Sequence, residues 1–274
     1  MNKRVSFNYS GASVLVTGGS NGIGLAIARE YLAAGASVMI TGRREGASDY
    51  EHDLSGLDYR QLDVSSRDAL IELANSLDTL DILINNAGGA QADEWGHDGF
   101  DQSVSINLSS AYHLSAACKH LLEASQFEGG ASIVGIASMT SYFGYEWTPG
   151  YGAAKAGLVQ LVKTLGISWG PSGIRANAVA AGMTRSNLTA PVIDGMPELI
   201  EGMFERQGLK RVGEGEDIAA AVLFLTSPAA SWVTGQTLAE NLADAPQRPE
   251  NQDVFYSPAQ PYAPAGQHIR VLRG

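Results

Sequence analysis

The chain has 274 residues, of which 45% are hydrophobic, and a formal net charge of −11 at pH 7. This composition is sufficient for a folded core, and the negative charge argues against nucleic-acid or anionic-membrane partners, which attract basic surfaces. Cys118 is the only cysteine, so no disulfide can form within the chain. Residues 1–19 lack a signal-peptide core, and the apolar run at 218–225 is too short to span a bilayer. We expect a cytoplasmic protein, and the sequence predicts no metal site.

The first motif is a glycine-rich turn between a short strand and a helix. A strand is predicted at Val14–Val16, residues 17–24 read TGGSNGIG, and a helix is predicted over residues 25–34. This layout brings backbone N–H groups and a helix N-terminus against a pyrophosphate. A plain turn between strand and helix also needs glycine, but four glycines in seven residues favour phosphate binding. We expect the side chains of Thr17 and Asn21 to brace the turn by hydrogen bonds.

The second strand is predicted at Ser37–Ile40 and is followed by Gly42, Arg43 and Arg44. An acidic residue at this strand end would bind a ribose 2′-hydroxyl, whereas arginine accommodates a 2′-phosphate. The pattern therefore favours NADP(H) over NAD(H), although two solvated surface arginines would give the same pattern. Residues 45–58 have no helical periodicity and predict a loop that replaces or shortens a crossover helix.

The next two strands are also followed by candidate cofactor contacts. A third strand is predicted at Tyr59–Asp63, before a helix. Asp63 and Val64 could frame an adenine, or Asp63 could simply cap the start of that helix. The fourth strand is predicted at Asp81–Ile84 and runs into the small residues of Asn85–Gly89, which allow the backbone to pass close to a cofactor.

A tyrosine and a lysine form the candidate catalytic pair. A strand is predicted at Ser132–Ile136, Ser138 follows it, and a helix predicted over residues 151–169 carries Tyr151 and Lys155 one turn apart. A free phenol has a pKa of about 10, and we expect the nearby ammonium to lower it. Tyr151 would then exchange a proton with a substrate oxygen that Ser138 hydrogen-bonds. The same spacing also occurs in ordinary amphipathic helices.

Together these motifs resemble the short-chain dehydrogenase/reductase family. Five matching segments lie in the family's order within residues 14–238: TGGSNGIG, NNAG, Asn107 in SINLSS, Ser138, and YGAAK at 151–155. The resemblance implies an α/β fold with a Rossmann-like doubly wound parallel sheet in a single domain. It also implies a nicotinamide cofactor and a catalytic tetrad of Asn107, Ser138, Tyr151 and Lys155.

In the mechanism that the resemblance implies, Tyr151 is the acid/base and Ser138 positions the carbonyl or hydroxyl. Lys155 binds the nicotinamide ribose and lowers the pKa of the tyrosine, while Asn107 holds a helix bend and a water of the proton relay. The expected cofactor contacts lie at the ends of the strands, on the catalytic helix and before the flap. They are Gly18, Ser20, Asn21, Gly22, Ile23, Gly24, Arg43, Arg44, Asp63, Val64, Asn85, Ala87, Gly88, Tyr151, Lys155, Gly182, Met183, Thr184 and Ser186.

The chain departs from the family pattern in three places. After a strand predicted at Ile174–Ala180, the usual Pro-Gly is Ala181-Gly182, and Ser186 takes the place of the expected hydroxyl residue. Many NADP-binding relatives have a basic residue where this chain has Asn21. The usual Asp-Gly-Gly-like segment after the last strand is replaced by Ala239–Leu242.

Residues 186–211 predict a mobile flap with a short helix that closes over the substrate; a surface helical hairpin packed on the core is the alternative. The flap belongs to a predicted Rossmann domain of residues 1–242, which ends with a helix at 216–226 and a strand within 231–238. Residues 243–274 contain five of the ten prolines. They predict an extended or disordered tail, or an arm that reaches a neighbouring subunit.

The leading interpretation is an NADP(H)-dependent oxidoreductase that moves a hydride between the cofactor and a secondary alcohol or ketone. The alternatives are an NAD(H)-dependent alcohol dehydrogenase, a 3-oxoacyl-thioester reductase of the same family, and a non-catalytic cofactor-binding regulator. The expected partner is a small-molecule carbonyl or alcohol, in a homotetramer or homodimer. Four aromatic residues near the tyrosine predict an apolar pocket that tolerates aromatic groups, although packing residues would give the same pattern: Tyr142, Phe143, Tyr145 and Trp147.

Overall fold

The structure is a computed structural model that describes residues 6–241. The predicted tail at 243–274 lies outside the described residues. Within residues 6–241, no helix combines the length and the apolar character needed to cross a membrane.

A single parallel sheet of seven strands forms the centre of the fold, in the order β3-β2-β1-β4-β5-β6-β7. The strands are β1 Ser13–Val16, β2 Ser37–Gly42, β3 Asp58–Gln61, β4 Ile82–Asn85, β5 Ala131–Ser138, β6 Ile174–Ala181 and β7 Thr237–Ala239. The strand order reverses between β1 and β4, and doubly wound sheets bind ligands outside the carboxyl ends of strands at such a point. The predicted Rossmann-like single domain is confirmed.

Helices cover both faces of the sheet. They are α1 Gly22–Ala33, α2 Arg67–Asn75, α3 His97–Val104, α4 Ser110–Glu123, α5 Pro149–Trp169, α6 Ala190–Gly195, α7 Pro197–Arg206 and α8 Gly215–Thr226. One core cluster joins Val14 and Val16 of β1 to α1 and α8. The other joins Leu15 to α2, α4 and α5. Because neighbouring strand residues face opposite sides, Val14, Leu15 and Val16 of β1 must all be apolar, as they are.

The structure can be compared with the helix predictions in two regions, one of which agrees and one of which differs. Between β2 and β3 the only helical segment is a short 3-10 turn at Ala47–Asp49, which agrees with the predicted loop. The predicted flap contains two helices, α6 and α7, rather than one, and Met196 separates them. Their shared boundary follows from Pro197, which has no N–H to continue the preceding helix and suits the first turn of the next one.

A buried arginine ties the end of α8 to the sheet. Arg175 of β6 is 6% exposed, and its guanidinium donates to the carbonyl oxygens of Leu225 and Thr226, the latter at 3.1 Å. The hydroxyls of Tyr9 and Tyr31 each lie 2.7 Å from the Thr226 hydroxyl. Since these carbonyls end a helix and have no partner within it, the guanidinium replaces the water that they would otherwise bind.

We expect the substitution Arg175→Met to lower the free energy of unfolding by about 3 kcal/mol, because it leaves buried carbonyl groups without donors. Urea unfolding of the variant and the wild type measures this difference. Arg60→Ala is the matched control, since that arginine is exposed and pairs with Asp58, and its effect should stay within about 0.5 kcal/mol. Equal stability of the two variants would contradict the prediction.

Candidate active site

The glycine turn joins β1 to α1 at the carboxyl edge of the sheet. Gly18 and Gly22 have φ angles of +64° and +50°, which side chains rarely adopt. A Cβ atom at Gly24 would lie 2.3 Å from the Gly18 carbonyl oxygen and 2.4 Å from Asn86 Nδ2. The turn therefore needs glycine for two separate reasons, its backbone angles and its close packing.

Two side chains brace this turn against the end of β4. Thr17 Oγ1 donates to the Ile84 carbonyl oxygen at 3.2 Å and accepts from Asn86 N at 3.0 Å. Asn86 Nδ2 donates to the carbonyl oxygens of Thr17 and Gly18 at 2.9 and 3.1 Å. Thr17 thus acts as predicted. The prediction for Asn21 is wrong: it occupies the N-cap position of α1 without a side-chain capping bond, and Asn86 braces the turn instead.

Gly88 lies where three parts of the site meet. A Cβ atom at this position would lie 2.4 Å from Asn107 Oδ1 and 3.1 Å from Lys155 Nζ. Lys155 is 3% exposed, donates from Nζ to the Ile136 carbonyl oxygen at 2.7 Å, and lies 5.5 Å from the centroid of the Tyr151 ring. The loop after β4, the strand β5 and the helix α5 therefore enclose one ammonium group.

Asn107 lies in a π-helical segment, Ser105–Ser109, between α3 and α4. Its side chain is buried, and Nδ2 donates to the carbonyl oxygens of Ser103 and Gly89 at 2.9 and 3.0 Å. Oδ1 accepts from Gly89 N at 2.9 Å. A π-bulge leaves the carbonyl four residues back without its usual partner, and the Asn107 amide satisfies it. This position agrees with the helix bend expected of Asn107.

Ser138 ends β5, and its Oγ accepts from Thr140 N at 3.2 Å; its hydroxyl is near the phenol of Tyr151, which is half-buried at the start of α5. Burial raises the pKa of Tyr151, the nearby Ser138 hydroxyl lowers it, and the negative charge of Glu94 raises it further. Burial lowers the pKa of Lys155 to about 8. The pKa of Tyr151 is therefore raised and not lowered as predicted, because desolvation of the phenol is the largest effect on it.

The carboxyl end of β2 leaves no room for an acidic side chain. A Cβ atom at Gly42 would lie 2.2 Å from the Tyr50 hydroxyl and 2.9 Å from Ser20 Oγ. Arg44 lies over the Tyr50 ring, 4.9 Å from its centroid, while Arg43 is exposed. The tyrosine hydroxyl thus occupies the space that a residue binding a ribose 2′-hydroxyl would need.

Asp63 and Val64 lie beyond the end of β3. The Asp63 carboxylate accepts from Ser65 N at 2.9 Å and from Ser65 Oγ at 2.7 Å. These bonds lower the pKa of Asp63, and Arg43 adds a weaker electrostatic effect. Ser66, three positions later, caps the start of α2. Asp63 therefore does not have the capping role that was the alternative to an adenine contact. Val64 packs on the core.

The segment predicted to follow the sixth strand forms the base of the flap. Gly213 N donates to the Met183 carbonyl oxygen at 2.9 Å, and Thr184 pairs with Gly213 as an isolated bridge. A Cβ atom at Gly182 would lie 2.6 Å from the carbonyl oxygen of Glu240. Ser186 Cβ lies 3.2 Å from where a Gly22 Cβ would be. The base of the flap therefore lies against the glycine turn.

The remaining predicted contacts contribute backbone or packing. Ile23 packs on the core from α1. Asn85 is buried and donates from Nδ2 to Ser115 Oγ at 3.0 Å, so its side chain is directed to α4. Ala87 N donates to Thr17 Oγ1 at 3.0 Å. Asn85 and Ala87 can therefore contact a ligand only through main-chain atoms and a small part of their side-chain surface.

Three residues that complete the site were not identified from the sequence: Tyr50, Asn86 and Glu94. The carboxylate of Glu94 is buried and accepts a hydrogen bond from Tyr151 N at 2.8 Å. Asn86 belongs to the predicted NNAGG segment, so its position was a usable signal. Tyr50 and Glu94 lie in loops, and only the fold shows which element each of them meets.

Comparison with known proteins identifies the family. The family model described as "Enoyl-(Acyl carrier protein) reductase" matches residues 18–241. A tropinone reductase homolog from Arabidopsis thaliana is 34% identical over 87% of this chain and 80% of its own length. The solved RhlG/NADP active-site complex from Pseudomonas aeruginosa is similar with a TM-score of 0.76 and 29% identity, covering 87% of this chain and 98% of that one.

A solved short-chain type dehydrogenase/reductase from Mycobacterium ulcerans gives a TM-score of 0.75 and 28% identity, over 85% of this chain and 89% of that one. The family model covers the chain from Gly18 in the glycine turn to Asn241, beyond the end of β7. The chain therefore belongs to the short-chain dehydrogenase/reductase family and is an oxidoreductase of that family.

Proposed function

We propose that the protein is an NADP(H)-dependent oxidoreductase that interconverts a secondary alcohol and a ketone, with Tyr151 as the acid/base. One observation carries the proposal. The Tyr151 phenol has the Ser138 hydroxyl near it and the buried Lys155 ammonium 5.5 Å from the centroid of its ring. This cluster adjoins Gly88, in the same loop whose Asn86 braces the glycine turn. A proton donor and a phosphate-binding turn thus share one crevice.

The described residues fit NADP(H) at each part of the cofactor. The narrow turn around Gly24 would hold the pyrophosphate, and Arg43 would bind the 2′-phosphate at a position where Tyr50 excludes an acidic side chain at residue 42. Lys155 would bind the nicotinamide ribose, and the base of the flap at Ser186 would hold the carboxamide. When bound, the nicotinamide supplies or accepts the hydride.

The protein's own residues move the proton. Because burial raises the pKa of Tyr151, the phenol is neutral near pH 7 and can donate to a ketone oxygen, which the Ser138 hydroxyl holds in place. In the reverse direction the phenolate must form, and the Lys155 ammonium stabilises it by charge attraction. General acids work best when their pKa approaches the working pH, so this attraction matters most during turnover.

Apolar cyclic ketones are the first substrates to test. Support comes from the similarity to tropinone reductase homologs and from three exposed aromatic residues just before α5, namely Tyr142, Tyr145 and Trp147. A panel of ketones and alcohols, with each of the two nicotinamide cofactors followed by absorbance, separates this proposal from its alternatives. Turnover of 3-oxoacyl thioesters alone would favour the acyl reductase, and cofactor binding without turnover would favour a regulator.

Substitution of the acid/base tests the mechanism. Tyr151→Phe should lower kcat/KM by about 10²–10⁴, the usual contribution of a positioned proton donor, with little change in NADPH affinity. Steady-state rates and fluorescence titration measure the two quantities. Tyr112→Phe is the control, because that tyrosine is exposed on α4, and its rates should match the wild type. Wild-type turnover in Tyr151→Phe would remove Tyr151 from the mechanism.

Cofactor preference tests the role of Arg43. Arg43→Ala should weaken NADPH binding by about tenfold to a hundredfold, the loss of one charge-assisted hydrogen bond worth about 1.5–3 kcal/mol. NADH binding should stay the same, because NADH has no 2′-phosphate. Direct titration with both cofactors checks this, with Arg60→Ala on the neighbouring strand as the control. An equal loss for both cofactors would show that Arg43 does not discriminate between them.

Replacement of the buried cation should stabilise the fold while it abolishes turnover. Since burial lowers the pKa of Lys155 from 10.5 to about 8, the folded protein at pH 7 holds a charge that costs about 3 kcal/mol, at 1.36 kcal/mol per pKa unit. We expect Lys155→Met to raise the free energy of unfolding at pH 7 by about 1–3 kcal/mol, with part of the gain offset by the lost bond to Ile136.

This gain should shrink as the pH rises from 8 to 10.5. In that range the folded wild type releases the lysine proton while its unfolded chain keeps it, so the wild type becomes more stable with pH. Urea unfolding at pH 7 and within that range, without cofactor, measures both effects. A variant that is less stable than the wild type at pH 7 would contradict the prediction.

A further inference from the structure

Glu94 is a buried carboxylate that the mechanism above does not use. It lies between β4 and α3 and is 2% exposed. Its Oε1 accepts from Gln91 N at 2.8 Å and from Ser103 Oγ at 2.9 Å, and its Oε2 accepts from Tyr151 N at 2.8 Å. A carboxylate is costly to bury unless its oxygens are paired. Here three donors from three separate segments satisfy it.

The bond to Tyr151 caps the helix α5 from outside. The first N–H groups of a helix have no partner within it, and Thr148, at the N-cap position, forms no side-chain capping bond. Pro149 has no N–H. Glu94 binds the Tyr151 amide from 57 positions away in the chain, and the positive end of the helix dipole favours its negative charge.

The same carboxylate connects Tyr151 to Asn107. Ser103, which donates to Glu94, is fully buried, and its carbonyl oxygen accepts from Asn107 Nδ2 at 2.9 Å. A Cβ atom at Gly150 would lie 3.0 Å from Ser103 Cβ, so α3 and the start of α5 are in direct contact. A displacement of Glu94 would therefore also displace Tyr151 and Asn107.

We propose that Glu94 is a positioning residue: its carboxylate fixes the first turn of α5, and with it the Tyr151 side chain, against the loop that carries Gly88. This inference rests on the proposed acid/base role of Tyr151. It adds an electrostatic consequence, because a negative charge beside the phenol opposes formation of the phenolate. Glu94 thus sets the position of the proton donor and also holds it in its protonated form.

The charged groups around Tyr151 allow the electrostatic effect to be isolated. Lys155, on α5 itself, lies 5.5 Å from the centroid of the phenol ring, and the negative charge of Glu94, in the loop after β4, also acts on the phenol. The adjacent strand β5 contributes the neutral Ser138. On α3, which packs on α5, Asp98 and Asp101 are exposed to water, where their charges are screened. Neutralising Glu94 should therefore change the field at the phenol more than neutralising any exposed carboxylate.

Glu94→Gln is the decisive variant, because it keeps the shape and removes the charge. In this variant the side-chain NH₂ group, which is itself a donor, must face the N–H of either Tyr151 or Gln91. One of these two backbone hydrogen bonds is therefore lost. We expect kcat to fall by about tenfold to a hundredfold, as for a slight misplacement of a catalytic group, and the pKa of the Tyr151 phenol to fall. Ultraviolet difference titration against the same protein carrying Tyr151→Phe measures that pKa without any need for turnover.

Two further variants separate charge from position. Asp93→Asn removes an equal charge from the preceding, exposed residue, whose carboxylate binds Gly96 N; kcat and the phenol pKa should both stay at wild-type values. Glu94→Asp keeps the charge but shortens the side chain, so kcat should fall while the phenol pKa does not. If Glu94→Gln fails to fold, Glu94→Asp decides the question through its kcat, with thermal unfolding as the check on folding.

Wild-type kcat in Glu94→Asp, or an unchanged phenol pKa in Glu94→Gln, would overturn the inference. An equal fall of that pKa in Asp93→Asn would also overturn it, because the effect would not be local. These outcomes differ from a failure of the proposed function, which would show as full turnover in Tyr151→Phe. If Tyr151→Phe is inactive and the phenol pKa is unchanged in Glu94→Gln, only the role of Glu94 is rejected, and the proposed function stands.

Discussion

The hydrogen bond from the Lys155 ammonium to the Ile136 carbonyl holds a positive charge inside the protein, and the rest of the site is arranged around that charge. It requires a strand end whose carbonyl is free to accept, which β5 provides. It also requires a neighbour with no side chain, and Gly88 is that neighbour. An isolated buried ammonium is unfavourable, so this position is expected to serve function rather than stability.

The segment between β4 and α3 connects the other parts of the site by hydrogen bonds. Asn86 binds the glycine turn, Gly89 binds Asn107 on both its N–H and its carbonyl, and Glu94 binds the first turn of α5. Three elements that are far apart in sequence thus meet one loop through polar contacts in a region of low solvent access. Such hydrogen bonds are stronger in a low-dielectric environment, and leaving them unformed is costly. The loop therefore holds the candidate cofactor-binding residues and the candidate proton-transfer residues in a single arrangement.

Much of the fold was predictable because local sequence patterns indicated the same strands and helices that the complete fold contains. Most strands were short apolar runs at the expected spacing, and the glycine turn and the Tyr151–Lys155 pair each had a motif. The sequence was less informative where the outcome depends on a balance of energies. Lys155 suggested an acidic phenol at Tyr151, yet burial dominates and raises its pKa. Asn21 was the expected brace by proximity, whereas Asn86 reaches the turn across the sheet. Glu94 had no local signal, because its partners are distant in sequence.

The packing of Tyr50 against Gly42 has an evolutionary consequence. The tyrosine hydroxyl fills the volume beside the end of β2, so a carboxylate cannot be introduced at residue 42 by a single substitution without a steric clash. A shift toward a cofactor recognised through its ribose hydroxyl would first require a smaller residue at position 50, which by itself gives no advantage. At least one step without benefit would then have to precede the change at residue 42, and this packing would hold the lineage to the cofactor preference proposed above.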